Sequence, residues 1–431
     1  MNDLLEFLSL SDPNVRFVVI SSVLLGIAAS AVGVFAYLRR NTLVGETVAH
    51  SMLPGIGFAF MISGSRDPLF LVLGAIVAGW ISVLFMEWIA KKGPLKNDIA
   101  LAITLTGFFA IGILLMTHIQ RGGYGDHSGL DHYIFGNVAA MTRQDTLVFG
   151  GLALLVLTVL GVMYKELKLF SFNPEYAQAN GLPTKAIEIG LSTITILAIA
   201  AGIKAVGIVL MAALLIIPSA AARYWMGRLN GMLWLSALFG AVSGIFGAFI
   251  SYQYSGLPTG PLIVVMLALL TALSVLLAPR TGLAAKHIRK LRRGRQMRAE
   301  NFVKQVYQLA ENCNDFECTF SMLEMRARFA YSRREAYRAM RLAVAFGWVL
   351  PKMGGVRLTA RGKEKGHQVN RLHRLWEIYL ARKANTPLEF VHETAEVMEH
   401  ILTPELETEI MNELGLCENF DPKSEIHQVL S

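Results

Sequence analysis

The chain has 431 residues, of which 54% are hydrophobic and only 17% charged, with a formal net charge of +8. A soluble domain carries about 25% charged residues, so this composition excludes a wholly water-soluble globular protein. The three cysteines, Cys313, Cys318 and Cys417, are odd in number and match no zinc spacing, which reads as reduced cytosolic thiols and excludes a disulfide scaffold. Residues 1–13 lack a basic segment and do not read as a cleaved signal peptide.

A spanning helix needs about 20 apolar residues. Such stretches fall at residues 17–38, 43–62, 69–90, 99–117, 146–162, 186–203, 205–222, 232–252 and 261–278. About nine spans are therefore expected. The sixth and seventh are separated only by Lys204, and small residues at 28–33 and 240–247 permit close helix packing.

Basic residues favour the cytoplasmic side. Arg39 and Arg40, Lys91, Lys92 and Lys96, Lys165, Lys168 and Lys185, and Arg223 and Arg228 fall in alternate loops of a nine-span count. Arg66, Arg121, Arg143 and Lys204 form the sparser set on the other side. This predicts the N-terminus outside and the C-terminus inside.

Glu46 and His50 lie one turn apart in the second span, on one helical face. A carboxylate with an imidazole suits a divalent transition metal, and ionisable groups inside a membrane mark pathways or partners. Two readings are open: an ion site, or Glu46 paired with Arg39 or Arg40 at the interface. The outer loop holds His118, Asp126, His127, Asp131 and His132 among Gly122, Gly123, Gly125 and Gly129, either a metal-capturing rim or a solvated turn region. FNPEYAQANGLP (residues 172–183) reads as a short polar helix bounded by Pro174 and by Gly181 with Pro183, a docking element or a plain loop.

NTLVGETVAHSMLPGIGFAF (residues 41–60) resembles the second-helix motif of ABC-type permeases for manganese, zinc and iron. GIVLMAALLIIPSAAARYW (residues 207–225) resembles that family's internal apolar motif, and residues 172–183 its ATPase-coupling helix. The resemblance covers residues 14–280 in consistent order. It implies a permease subunit, and no enzyme, in a bacterial cytoplasmic membrane. Glu46 and His50 would help bind the translocating ion, and Asn173, Pro174, Glu175, Gly181, Leu182 and Pro183 would form the coupling segment. Many members have Asp where this chain has Glu46. The implied partners are an ABC ATPase subunit, an extracytoplasmic metal-binding protein, a second permease subunit and membrane lipid. The chain has no G-x-x-x-x-G-K-[ST] loop, so no nucleotide is expected on it.

Beyond Pro279 the sequence becomes polar. Lys286, Arg289, Lys290, Arg292, Arg293, Arg295 and Arg298 read as a juxtamembrane linker (281–299) open to proteolysis. Residues 300–366 follow as one domain. Phe302, Val303, Val306 and Leu309 have helical spacing. A second helix is expected near 319–329 and a third after Ser332. Residues 349–366 read as two short strands with a Gly354–Gly355 turn. This order is that of a winged helix-turn-helix, whose third helix places Ser332, Arg333, Arg334, Tyr337, Arg338 and Arg341 toward operator DNA. A partner-docking domain with a basic face is the other reading.

In residues 367–431, His373 and Glu377 lie one turn apart, and Glu396, Glu399 and His400 share a helical face. The stretch 300–416 resembles metal-responsive repressors of the diphtheria-toxin-repressor and manganese-repressor type. By that resemblance His373, Glu396, Glu399 and His400 are regulatory metal ligands and Glu377 an ancillary one. The first helix departs from the family, with Asn301 and Lys304 standing where it supplies further ligands.

The expected fold is therefore an all-α polytopic membrane domain (1–280) plus a cytoplasmic winged helix-turn-helix and helical dimerisation domain. The expected function is divalent-metal import, with manganese, iron or zinc as substrate and a metal ion as effector. The alternatives are a C-terminal metal sensor that gates transport without DNA, and a secondary metal transporter.

Overall fold

The structure is a computed structural model. It describes residues 13–39, 42–65, 67–93, 95–121, 133, 134, 136, 141–254, 257–329, 332–382 and 402–416. The chain divides into two compact units, Met1–Lys286 and His287–Ser431.

The first unit is helical. Its elements are α1 (Pro13–Leu38), α2 (Thr42–Ser51), α3 (Leu53–Ser63), α4 (Pro68–Lys92), α5 (Asn97–Arg121), α6 (Arg143–Val162), α7 (Tyr164–Phe172), α8 (Pro174–Ala179), α9 (Thr184–Val206), α10 (Ile208–Trp225), α11 (Leu229–Gln253) and α12 (Thr259–Leu277). Helices occur at all nine positions expected from the sequence. Among the described residues, seven of them (α1, α4, α5, α6, α9, α11 and α12) are long and apolar enough to cross a bilayer as single helices.

Two expectations need correction. The second span is not one helix. It breaks at Met52, and α3 restarts with Pro54 in its first turn, where the missing N–H of proline costs no helical bond. The sixth and seventh helices do not part at Lys204, which lies in the last turn of α9. They part at Gly207, whose φ of 91° is open to glycine and strained for other residues.

Large apolar side chains cover the outside of this unit: Ile62 is 84% exposed, Trp234 80% and Leu114 70%. Such a surface is stable in hydrocarbon and not in water. Inside, backbones approach closely. A Cβ on Gly26 would lie 2.5 Å from the Gly240 carbonyl oxygen, and one on Gly240 2.3 Å from that of Gly26. Without a hydrophobic drive between helices in lipid, such contact holds them by dispersion. Ser236 on α11 adds a hydrogen bond to the Ser30 carbonyl at 3.0 Å.

The second unit is built from α13 (Leu283–Cys313, whose first turn contains the division), α14 (Met322–Phe329), α15 (Arg333–Ala345), β1 (Val349–Lys352), β2 (Gly355–Leu358), α16 (Ala360–Arg382) and α17 (Pro404–Leu414). The basic run expected as a linker is thus helical, part of α13. Phe302, Val303, Val306 and Leu309 are buried as expected, against Phe320, Met325, Ala339, Val349 and Val356. The strands pair antiparallel with Lys352 opposite Gly355. The connecting residues are therefore Met353 and Gly354, one position before the expected turn, and Gly354 has φ 92°.

Candidate functional site

α2 is short because Met52 ends it, and it is enclosed by α4, α5, α9 and α10. It presents Glu46 and His50, both half-buried. The His50 ring meets Phe109 edge-on at 4.9 Å, and its Nδ1 is buried without a hydrogen-bond partner. Arg39 does not pair with Glu46. It reaches Glu188 on α9 at 3.5 Å and lies over the Phe170 ring of α7 at 4.0 Å. Arg40 lies outside the described residues. Among the described residues, no group of three or more His, Cys, Asp or Glu is placed to hold a metal ion. A groove of about 270 Å³ runs beside α2, lined by Val44, Glu87, Lys91, Asn97, Glu188 and Ser192.

Within the segment 172–183, Phe172 ends α7 and residues 174–179 form the short helix α8. Asn173 caps it, its side chain accepting from Tyr176 N at 2.9 Å. Pro174 occupies its first turn, and Gly181 at φ 78° reverses the chain before Leu182 and Pro183. Only Ala177 of this helix is buried; Phe172, Glu175 and Tyr176 are exposed.

Sequence reasoning missed one buried ion pair. Lys204 Nζ lies 2.6 Å from Asp145 Oδ2, with side-chain exposures of 15% and 1%. Asp145 is also the third residue of a capping box, accepting from Thr142 N and Thr142 Oγ1, both at 2.8 Å. Thr142-x-x-Asp145 is itself a helix-start signal that could have singled out this carboxylate. Its other oxygen, Oδ1, is buried and unbonded.

In the second unit, Ser332 and Glu335 form a capping box that starts α15. Hydrogen bonds from the Ser332 hydroxyl and backbone N–H hold the Glu335 carboxyl below the ordinary glutamate range. Ala336, Ala339 and Ala343 face the core, while Arg333, Arg334, Tyr337, Arg338 and Arg341 are all exposed.

Of the expected regulatory ligands, His373 and Glu377 come together, Nε2 to Oε1 at 3.1 Å. Glu396, Glu399 and His400 lie outside the described residues, as do Asp126, His127, Asp131 and His132. Lys304 stands against His373, Nζ to Nδ1 at 3.5 Å, both side chains buried. An ammonium at that nitrogen does not fit a divalent ion ligated there.

A helical bundle in which seven of the described helices are long and apolar enough to cross a bilayer defines a multi-pass membrane protein. Residues 11–278 match the model of the ABC 3 transport family, and the chain belongs to that family. It is similar to the manganese transport system membrane protein MntC of Bacillus subtilis (strain 168), 34% identical over 375 residues, 87% of this chain and 86% of that protein. That alignment is longer than the first unit, so it runs into the second. The zinc transport system membrane protein TroC of Treponema pallidum (strain Nichols) is 35% identical over 272 residues, 63% of this chain and 91% of that protein. The solved structure of PsaBC from Streptococcus pneumoniae in complex with Fab superposes with a TM-score of 0.59 at 29% identity, covering 64% of this chain and 97% of that one. Residues 359–426 match the iron dependent repressor, metal binding and dimerisation domain, so a repressor-type domain is fused to the permease.

Proposed function

We propose that this chain is the permease subunit of an ATP-driven importer for a divalent transition metal, with manganese the foremost substrate. The carrying observation is the pair Glu46 and His50 on α2, one turn apart, with His50 Nδ1 buried and unpartnered. A transported ion must bind briefly and leave, so a carboxylate and an imidazole from one helix, supplemented as the ion passes, suit the task better than a closed cage. Manganese stands first because one relative that aligns over both units, at 34% identity, is a manganese transport protein.

Energy comes from a separate ATPase docked on the capped, exposed α8, which offers Glu175 and Tyr176 beside Phe172 at the end of α7. The loop charges support a cytoplasmic position for this surface and for the second unit. The groove beside α2 supplies a polar exit. An extracytoplasmic metal-binding protein delivers the ion, and a second permease subunit completes the pathway. The second unit is a DNA-binding regulator that uses the exposed arginines of α15.

The test is uptake of manganese, zinc and iron into vesicles holding the permease and its ATPase. ATP-dependent manganese uptake, lost in Glu46→Ala and in His50→Ala, is expected. Unchanged uptake in both variants overturns the site, and uptake without the ATPase overturns the mechanism.

A further inference from the structure

The seam between α13 and α16 is stitched by polar pairs at successive turns of α13. Glu300 meets Lys365 at 3.1 Å, Gln308 Nε2 donates to Asn370 Oδ1 at 3.0 Å, and Glu311 meets Arg374 at 2.7 Å. Between them sits Lys304, 3% exposed, with Nζ 3.5 Å from Nδ1 of His373, also 3% exposed. The opposite nitrogen of that ring, Nε2, lies 3.1 Å from Glu377 Oε1.

A lysine ammonium has donors and no acceptor. His373 Nδ1 must therefore accept, so its proton resides on Nε2 and points at the Glu377 carboxylate. Both ring nitrogens are engaged, and the lone pair that a metal ion would need is directed at a positive charge. Burying an ammonium is costly unless it is paired, so this placement is not an incidental packing of a surface lysine. Two cations at that separation in a buried setting repel strongly.

We propose that Lys304 is a built-in cation occupying the regulatory metal position, so that His373 relays a hydrogen bond from Lys304 to Glu377 and ligates no metal. The fused domain then holds its α13–α16 seam closed by fixed charges, and its DNA-binding face is set without reference to the ion that the membrane unit carries. This departs from the metal-responsive behaviour expected from the sequence.

The experiment uses the full-length chain in detergent carrying Glu46→Ala and His50→Ala, which removes the transport pair. Binding of Mn²⁺, and separately Zn²⁺, is measured by equilibrium dialysis with and without His373→Gln. Equal stoichiometry in the two chains is expected. Lys304→Glu is expected to add about one ion per chain, and His373→Gln to abolish that gain. The proposal is overturned if the chain with His373 binds an ion that His373→Gln removes. It is overturned as well if a folded Lys304→Glu chain gains none, because the lysine is then not what excludes the metal. Should Lys304→Glu not fold, the His373 comparison decides alone. Failure of Glu46 and His50 as the transport site shows as unchanged uptake in their variants and leaves this comparison untouched.

Discussion

The guanidinium of Arg39 lies 4.0 Å from the centre of the Phe170 ring. This joins the end of α1 to α7, the helix that leads into α8, and the same guanidinium reaches Glu188 on α9. A cation over an aromatic face contributes about 0.5–2 kcal/mol, and the exposed Glu188 adds little. The value of the contact is positional. Arg39→Ala is expected to leave ATPase binding intact while lowering metal uptake per ATP hydrolysed, measured in proteoliposomes. Arg39→Lys should rescue only partly, since a lysine keeps the charge and loses the planar stack.

The Asp145–Lys204 pair ties the start of α6 to the last turn of α9, just before the Gly207 break. Removing one member of a buried pair strands the other, at a cost of about 3–5 kcal/mol. Lys204→Met should therefore lower thermal stability in detergent more than Asp145→Asn, because asparagine keeps a hydrogen-bond acceptor for Thr142. The double variant should lose less than the sum of the single losses. Simple additivity in a thermal-melt cycle would show that the two side chains act independently.

Gly26 and Gly240 leave no room for a side chain at either position. Gly240→Val should separate α1 from α11 and reduce the folded yield of the membrane unit. Leu238→Val, at an exposed position on the same helix, should not. Fluorescence-detected size exclusion of the two variants makes the comparison.

The Ser332–Glu335 capping box gives α15 a pH dependence. The Glu335 carboxyl is depressed when folded, so its stabilisation is present above the ordinary glutamate range and fades as pH falls through the folded value. DNA affinity of the full chain, followed by fluorescence anisotropy, should weaken on acidification over that window, and Glu335→Gln should flatten the dependence. Arg333→Ala, Arg338→Ala or Arg341→Ala should each reduce the salt slope of binding by about 1. An unchanged slope in all three would point to the partner-docking reading of this face.

Much of this architecture was legible because it depends on local pattern. Apolar runs marked helices at nine places, and arginine at 333, 334, 338 and 341 marked the face of α15 that the structure leaves exposed. Pro174, Gly181 and Pro183 bounded α8 through backbone restrictions that hold in any context. Lys204 was misread because a single lysine between two apolar runs looks like a loop. Nothing local reveals that a carboxylate 59 residues earlier waits for it.

The sequence by itself therefore determined the two solvents, the helices and the chemical types available to each site. Tertiary structure alone decided the pairing: Arg39 with Phe170 and Glu188, Asp145 with Lys204, and Lys304 with His373, 69 residues away. The physical reason is that periodicity reports which face of an element is buried, whereas a charged side chain's partner depends on which elements pack together. That choice is made by shape, at contacts such as Gly26 on Gly240, and is not written in the spacing of the charges themselves.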